Sequence, residues 1–488
     1  MKNLFKEINN HWLDDLKSSN QNRSGFITLI LLCVILLIIT FLAGKIPFFW
    51  NMVRYSEIAH YYYENNFSNL IVPLEYDNGN PPFYGLYFTI IWKIFGKSLL
   101  ISHLALYPFI LGYLWQVYQL SKKFIPSHLI SFAIILIAIE PTILTQSLLM
   151  GYDIILMFLF LFSVNQILND KGKILLSLSL LLMTMLSIRG LIMLLSVSAI
   201  EVYLWKWGRQ HTFKLLHLLA YFPALIFLVF WYTYRYYETG FLFSSFNNPD
   251  HREWVEFNMM IRNICYTGWK IIDFGRIGLI LFIVSCFIWL KYRKIKFDSR
   301  FNTLLIISLI VLFFFSIINV PVSNPVSHPY FIILFVFMIL VSIYLLQYLK
   351  WKRTIFIILI LLMATGNFWM YPLRFGNGWD ASLKVLPYFS LYEKMKAVIL
   401  EEQIDPKLIG TKFPLYSDTK YTQLTTEQFS FQDLDKIPFD QCRYILHSNV
   451  INTFTPDEQR ILNEDWQLIK SFQKGQVYLK LYSSKSYD

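Results

Sequence analysis

Apolar runs of about 15 to 22 residues recur along this chain, separated by short stretches that are basic or carry Gly and Pro. Runs of that length match helices that satisfy their own backbone hydrogen bonds in lipid, whereas a transmembrane barrel would show strict alternation. The pattern predicts a first span over Gly25–Ile46, then Ser98–Leu120, His128–Gln146, Asp153–Leu168, Ile174–Ile188, Leu191–Trp205 and Leu215–Tyr232. Further spans follow at Ile277–Leu290, Leu304–Ile318, Tyr330–Leu349 and Ile355–Trp369, which brings the expectation to about eleven crossings. Pro82–Phe95 is aromatic-rich but too short to cross comfortably, and it reads as an interfacial or re-entrant helix.

Basic residues then set the orientation. If Pro82–Phe95 does not cross, Lys122/Lys123, Lys171/Lys173, Lys206/Arg209 and the basic runs starting at Lys291 and Lys350 all share one side with the N-terminus. That side is cytoplasmic by the positive-inside rule. Residues 1–24 carry acids as well as bases and lack a small-residue cleavage site, so the first span reads as a retained anchor. The expected layout is a cytoplasmic stretch over 1–24, a transmembrane unit over 25–371 and an extracytoplasmic domain over 372–488, in a bacterial inner membrane. Outward loops are expected at 47–97, 140–152 and 235–276.

Composition agrees with this layout. The 488 residues are 56% hydrophobic and 15% charged, which excludes an ordinary soluble domain. The net charge of +11 needs no nucleic-acid partner, because the bases sit in the short loops where topology wants them. The four cysteines are scattered without metal or disulfide spacing. Beyond Trp369 the sequence turns mixed and polar and reads as a small α/β domain. Tyr392–Glu402 has helical periodicity, Arg443–His447 is strand-like, Thr455 starts a capped helix, and Leu468–Tyr482 resembles a hairpin turning at Lys474-Gly475. No catalytic motif is apparent in it.

Acids are scarce, so those expected at the outer surface stand out: Glu57, Glu64, Glu75 and Asp77 in the first loop, with Glu140 and Asp153 around the second. Each has an ordinary alternative. Asp153 opens a helix and would suit a cap, Glu140 could face headgroups or water, and Glu57 and Glu64 fit a solvated face with Arg54 and His60. Asp77-Asn-Gly-Asn80-Pro-Pro82 is a turn leading into a helix start, and Glu140, Gln146 and Asp153 follow on the same expected face.

In these motifs the chain resembles the GT-C glycosyltransferases, in the branch of protein O-mannosyltransferases and lipid A aminoarabinose transferases. The resemblance is closest over about Gly25–Leu168 and extends to the later spans in layout. The family's acid followed by His-Pro-Pro is similar to Asp77 with Asn80-Pro81-Pro82, and its acid, Gln and helix-opening acid match Glu140, Gln146 and Asp153 in order. The chain departs from the pattern at Asn51, where members place an acid after the first span, at Asn80 in place of His, and at His103 in place of an early second-span Arg.

The resemblance implies transfer of a sugar from a polyprenyl-phosphate donor to a cell-envelope glycan, lipid or protein acceptor, with membrane lipid as surroundings. Such chemistry needs a carboxylate to take the acceptor's proton and a cation to meet the leaving phosphate. Asp77, Asp153 and Glu140 are the candidate catalytic acids. Asn80, Glu57, His103, Gln146, Arg189, His328 and Tyr330 are candidate substrate-binding residues, with Arg189, His103 or His328 meeting the phosphate. Arg189 could equally snorkel, and the histidines could be packing residues. No spacing demands a metal, although carboxylates could hold a divalent ion. Other readings of the same layout are a transporter or flippase, or a scaffold that has kept the fold and lost catalysis.

Overall fold

A computed structural model describes residues 22–170, 173–207, 218–245, 252–323, 326–372, 376–451 and 453–485. Most of it is a bundle of apolar helices. The first, α1 (Asn22–Leu42), turns Leu31, Val34, Ile38 and Leu42 outward, as expected of a helix whose outer face meets lipid rather than water. At the other extreme is α14 (Ile332–Leu345), buried at every position and enclosed by its neighbours. Between them run α2 (Asn51–Glu64), α3 (Phe83–Phe95), α4 (Leu99–Phe124), α5 (Ile130–Ala138), α6 (Pro141–Leu148), α7 (Asp153–Asn169), α8 (Lys173–Leu186) and α9 (Arg189–Lys206). These are followed by α10 (Phe222–Thr239), α11 (Phe257–Ile272), α12 (Arg276–Tyr292) and α13 (Ser299–Ile317), and α15 (Lys352–Gly366) closes the bundle.

Among the described residues, four helices are long and apolar enough to cross a membrane by themselves, and the number rises to six if each of two bent pairs is one span. One bent pair corrects the continuous span expected over His128–Gln146. The segments Ser127–Ala138 and Pro141–Leu148 meet at 57°. Proline disfavours helical backbone in the residue before it, and Glu140 takes an extended ψ of 128° there while its side chain caps the new helix through the Ile143 N–H at 2.8 Å.

The other pair joins α11 to α12 at 88° through Phe274 and Gly275, both with positive φ. The expected loop over 235–276 is therefore largely helical. In α11 the polar Asn263, Thr267 and Lys270 are buried, while Phe257, Ile261 and Ile264 are exposed, an inverted amphipathic pattern suited to a helix lying against lipid. The span expected over Leu215–Tyr232 begins outside the described residues. Its helix runs instead from Phe222, with Pro223 in the first turn, to a left-handed cap at Gly240, and so takes in Arg235.

The C-terminal unit is a five-stranded sheet in the order β2-β1-β3-β5-β4, with β1 at Ile409–Thr411, β2 at Gln432–Asp433, β3 at Tyr444–Ser448, β4 at Trp466–Lys474 and β5 at Val477–Ser484. The first three strands are mutually parallel, and β4–β5 is a hairpin with Gly475 in the turn at φ 60°. Helix α16 (Leu386–Glu401) packs on β4 and β5, and α17 (Pro456–Glu464) opens with a capping box from Thr455 and Glu458. The core of this unit also takes in Phe49 and Leu149 from the bundle. Its loops grip α2: the Ser56 hydroxyl donates to the Tyr421 carbonyl at 2.7 Å, Arg54 donates to the Tyr416 hydroxyl at 2.7 Å, and Lys420 pairs with Glu64 at 2.8 Å.

That grip corrects the solvated face expected of α2 at Glu57 and His60, while Glu64 is exposed as expected. Glu57 and His60 are buried. Burial raises the Glu57 carboxyl against the pull of Arg54, and burial lowers the His60 imidazole to about 4.

Candidate functional site

At the domain-bearing end of the bundle a cleft brings together Asn51, Gln146, Asp153, Arg189, Tyr330 and Asp380, with Tyr152 and aromatic or apolar side chains completing the walls. Each polar group reaches it from a different element. Asn51 starts α2, Asp153 starts α7, Arg189 starts α9, and Tyr330 lies in the 3-10 turn (His328–Phe331) that leads into α14. Asp380 comes from the strap that follows α15. Helix starts concentrate unpaired backbone N–H groups and the positive end of the helix dipole, so several of them converging favours an anion at this end.

Arg189 is the centre of the cleft. Its guanidinium pairs with Asp153 at 2.5 Å and donates to the Tyr152 hydroxyl, and it stacks on the rings of Tyr330 and Tyr152 at 4.4 and 4.8 Å. Clamped between rings and carboxylate, it keeps 12% of its side chain exposed, so donors remain for a ligand. Asp153 holds the arginine and does not cap α7, whose N-cap makes no side-chain bond.

The remaining candidates lie behind these walls. Asn80 reaches the same turn from the first loop: its Oδ1 accepts from the Ser187 hydroxyl at 3.2 Å and from the Ile188 N–H at 3.4 Å, one residue before Arg189. His328 lies in the same 3-10 turn as Tyr330. Its Nε2 bonds Asp273 at 2.7 Å, Tyr371 donates to the other oxygen of that carboxylate, and the imidazole is fully buried against Phe274.

Asp77 and Glu140 are held away from the cleft. The Asp77 carboxylate accepts from the Gly79 N–H at 3.0 Å and pairs with the buried Arg235, which also ties down the carbonyls of Phe241, Leu242 and Ser244. Glu140 pairs with Arg276 where both side chains are 0% exposed, which corrects the expectation of an acid facing headgroups or water. His103 is buried with its Nε2 on the Ile46 carbonyl at 2.9 Å, so it fastens the end of the first span and does not line the cleft. Glu57 belongs to the contact with the C-terminal unit. Among the described residues, no three His, Cys, Asp or Glu side chains come together as a metal-binding group.

Sequence reasoning missed Asp380, because everything after Trp369 was assigned to a separate domain without chemistry. The strap instead folds back onto the bundle. Gln146 donates to the Asp380 carbonyl at 2.8 Å, Thr142 to the Ala381 carbonyl at 3.3 Å, Lys270 to the Gly376 carbonyl at 3.0 Å, and Lys384 to the Trp369 carbonyl at 2.8 Å. A usable signal was Trp379-Asp380, an aromatic–acid pair in the linker that follows the last span. Burial, and next the neighbouring Asp153, pushes the Asp380 carboxyl up to about 6. Burial among Phe274, Tyr371 and Trp379 lowers the Lys384 ammonium to about 7.

Helices long and apolar enough to cross a membrane, two bent helix pairs and a small sheet unit, with an Arg-centred cleft, make up a fold seen in solved structures. The chain is similar to ArnT from Cupriavidus metallidurans in the apo state, with a TM-score of 0.55 and 12% identity over 94% of this chain and 98% of that one. It is similar also to ArnT from the same organism bound to undecaprenyl phosphate, with a TM-score of 0.53 and 11% identity over 93% and 97% of the two chains. No protein-family model and no curated protein sequence matches the chain. The aminoarabinose-transferase branch of the resemblance noted from the motifs thus agrees with the fold.

Proposed function

We propose that this protein is a glycosyltransferase that moves a sugar from a polyprenyl-phosphate donor to a cell-envelope glycan, lipid or protein acceptor at the outer face of the bacterial inner membrane. The observation that carries the reading is Arg189, a cation fixed by Asp153 and two tyrosine rings in a cleft at one end of an apolar bundle. A lipid-linked donor must be met at membrane depth while its phosphate needs a fixed positive charge, and such a charge acts most strongly as the leaving phosphate gains its own. The likeness in fold to an ArnT bound to undecaprenyl phosphate supports the same donor class. In this reading the N-terminus is cytoplasmic, residues 372–488 lie outside, and the cleft opens on the outer face.

In this reading Arg189 meets the phosphate, Tyr152 and Tyr330 hold the guanidinium in place by stacking, and Asp153 and Asn80 position it. Gln146 and Asn51 offer amides to sugar hydroxyls. Asp77, Glu140 and His328 hold the walls, while His103 and Glu57 hold the first span and α2. The test is sugar transfer from a panel of isoprenoid-phosphate sugars by purified protein in lipid. Wild type should transfer, and Arg189→Met should lose about a hundredfold or more, the scale of a missing charge-stabilising donor. Wild type inactive across the panel, or Arg189→Met at wild-type rate, would move the transporter or scaffold reading ahead.

A further inference from the structure

The acids at this end of the bundle share a pattern with one exception. Asp77 is paired with Arg235, Glu140 with Arg276 and Asp153 with Arg189, while Asp273 is held by hydrogen bonds from His328 and the Tyr371 hydroxyl. A carboxylate already in a tight pair with a buried cation is a poor proton acceptor, because protonation would strand the cation. Asp380 has no ion pair within 4.0 Å among the described residues, although it lines the same cleft as Arg189. The other groups on those walls that could bind a proton are the phenols Tyr152 and Tyr330, both committed to Arg189, while Asn51 and Gln146 are amides without useful basicity.

We infer that Asp380, carried by the strap after the last helix, is the catalytic base for the acceptor in the transfer reaction proposed above. This rests on that reading. An acceptor hydroxyl oxygen attacks the anomeric carbon of the sugar, and the bond from that carbon to the phosphate oxygen breaks. Its electron pair leaves with the polyprenyl phosphate beside Arg189, and the hydroxyl proton passes to an Asp380 carboxylate oxygen. The geometry suits the division of labour, since one carboxylate (Asp153) is spent on the cation and the other is left free.

The strap is also built to hold such a base. The Asp380 carbonyl is fixed by Gln146, the next residue by Thr142, and Leu383 N–H donates to the Asn367 side chain at 3.0 Å. Trp379 on one side is 1% exposed and Ala381 on the other is fully buried. The backbone on both sides is therefore pinned while Asp380, a part-exposed residue, lines the cleft, the arrangement a general base requires. A proton affinity raised toward neutrality is the property that makes a carboxylate useful in this role, and the displaced carboxyl of Asp380 has it.

The experiment compares wild type, Asp380→Asn and Asp380→Glu in lipid, reading transfer turnover, undecaprenyl phosphate binding and the pH profile of turnover. Expected results are a loss of about a hundredfold or more for Asp380→Asn with undecaprenyl phosphate binding within about threefold of wild type. Wild type should show an acidic limb near pH 6 that Asp380→Glu shifts and Asp380→Asn lacks. If wild type transfers sugar and Asp380→Asn matches it, the base lies elsewhere while the transferase reading stands. An Asp380→Asn protein that loses lipid binding together with turnover makes Asp380 a structural residue and overturns the assignment. Wild type that binds undecaprenyl phosphate but transfers nothing overturns the transferase reading, and the base assignment with it.

Discussion

Replacing Arg276 with Met should unfold this protein far more readily than its distance from the cleft suggests. The guanidinium is 0% exposed and donates to Glu140, to the Thr142 hydroxyl at 3.1 Å, to the Lys270 carbonyl at 3.1 Å and to the Ile271 carbonyl at 3.2 Å. It lies over the Phe335 ring at 3.8 Å, which shuts off solvent from that side. Removing it leaves the Glu140 carboxylate buried and uncompensated, at a cost of about 3–5 kcal/mol. Glu140→Gln strands the arginine instead and should cost a similar amount. The double variant Glu140→Gln/Arg276→Met carries no buried charge, and its Gln carbonyl can still accept from the Ile143 N–H. It should therefore be more stable than either single variant, with a coupling energy of about 2 kcal/mol or more. Denaturant unfolding in mild detergent, followed by tryptophan fluorescence, measures all four proteins. A double variant as unstable as the sum of the singles would refute the argument that the pair is held by mutual neutralisation. Near-wild-type transfer per folded molecule in Glu140→Gln is the companion expectation, and a hundredfold loss would return Glu140 to the chemistry.

Lys384 gives a pH prediction. Its folded pKa of about 7 lies below the ordinary 10.5, so between those values the unfolded chain holds the extra proton and stability rises with pH. The penalty, on the order of 4 kcal/mol, is full below about pH 7 and fades toward pH 10.5. Lys384→Met should therefore stabilise the protein more at pH 6.5 than at pH 9.5, and equal gains in unfolding free energy at both would refute it. Gly190→Ala should cost about 2 kcal/mol or more and lower transfer, because the new Cβ would lie 2.1 Å from the Met183 carbonyl oxygen and must push away the start of the helix bearing Arg189. Unchanged unfolding and turnover would show that the α8–α9 turn gives way at no cost.

Hydrophobic periodicity by itself determined where most helices of this bundle run. The reason is that in lipid a backbone can do little but hydrogen-bond within its own helix, so length and apolarity suffice. The capping box at Thr455 and the hairpin turn at Gly475 were legible for the same kind of reason, since each is decided within a few residues. The recurrence of Asp77, Asn80, Glu140, Gln146 and Asp153 in one order was enough to suggest a fold family. What each of those residues touches was not legible, because ion pairing joins positions far apart in sequence. Arg276 reaches back to Glu140, Arg235 to Asp77 and Arg189 to Asp153, and only the packed bundle selects those partners. The broken helix at Glu140 and the burial of Glu57 under the C-terminal unit follow likewise from local backbone limits and tertiary cover that a span-by-span reading treats separately. Asp380 makes the same point most clearly. Its neighbours in sequence mark it as domain linker, and its place beside Arg189 exists because Gln146 and Thr142 from one helix and Asn367 from the end of another fold the strap back onto the site.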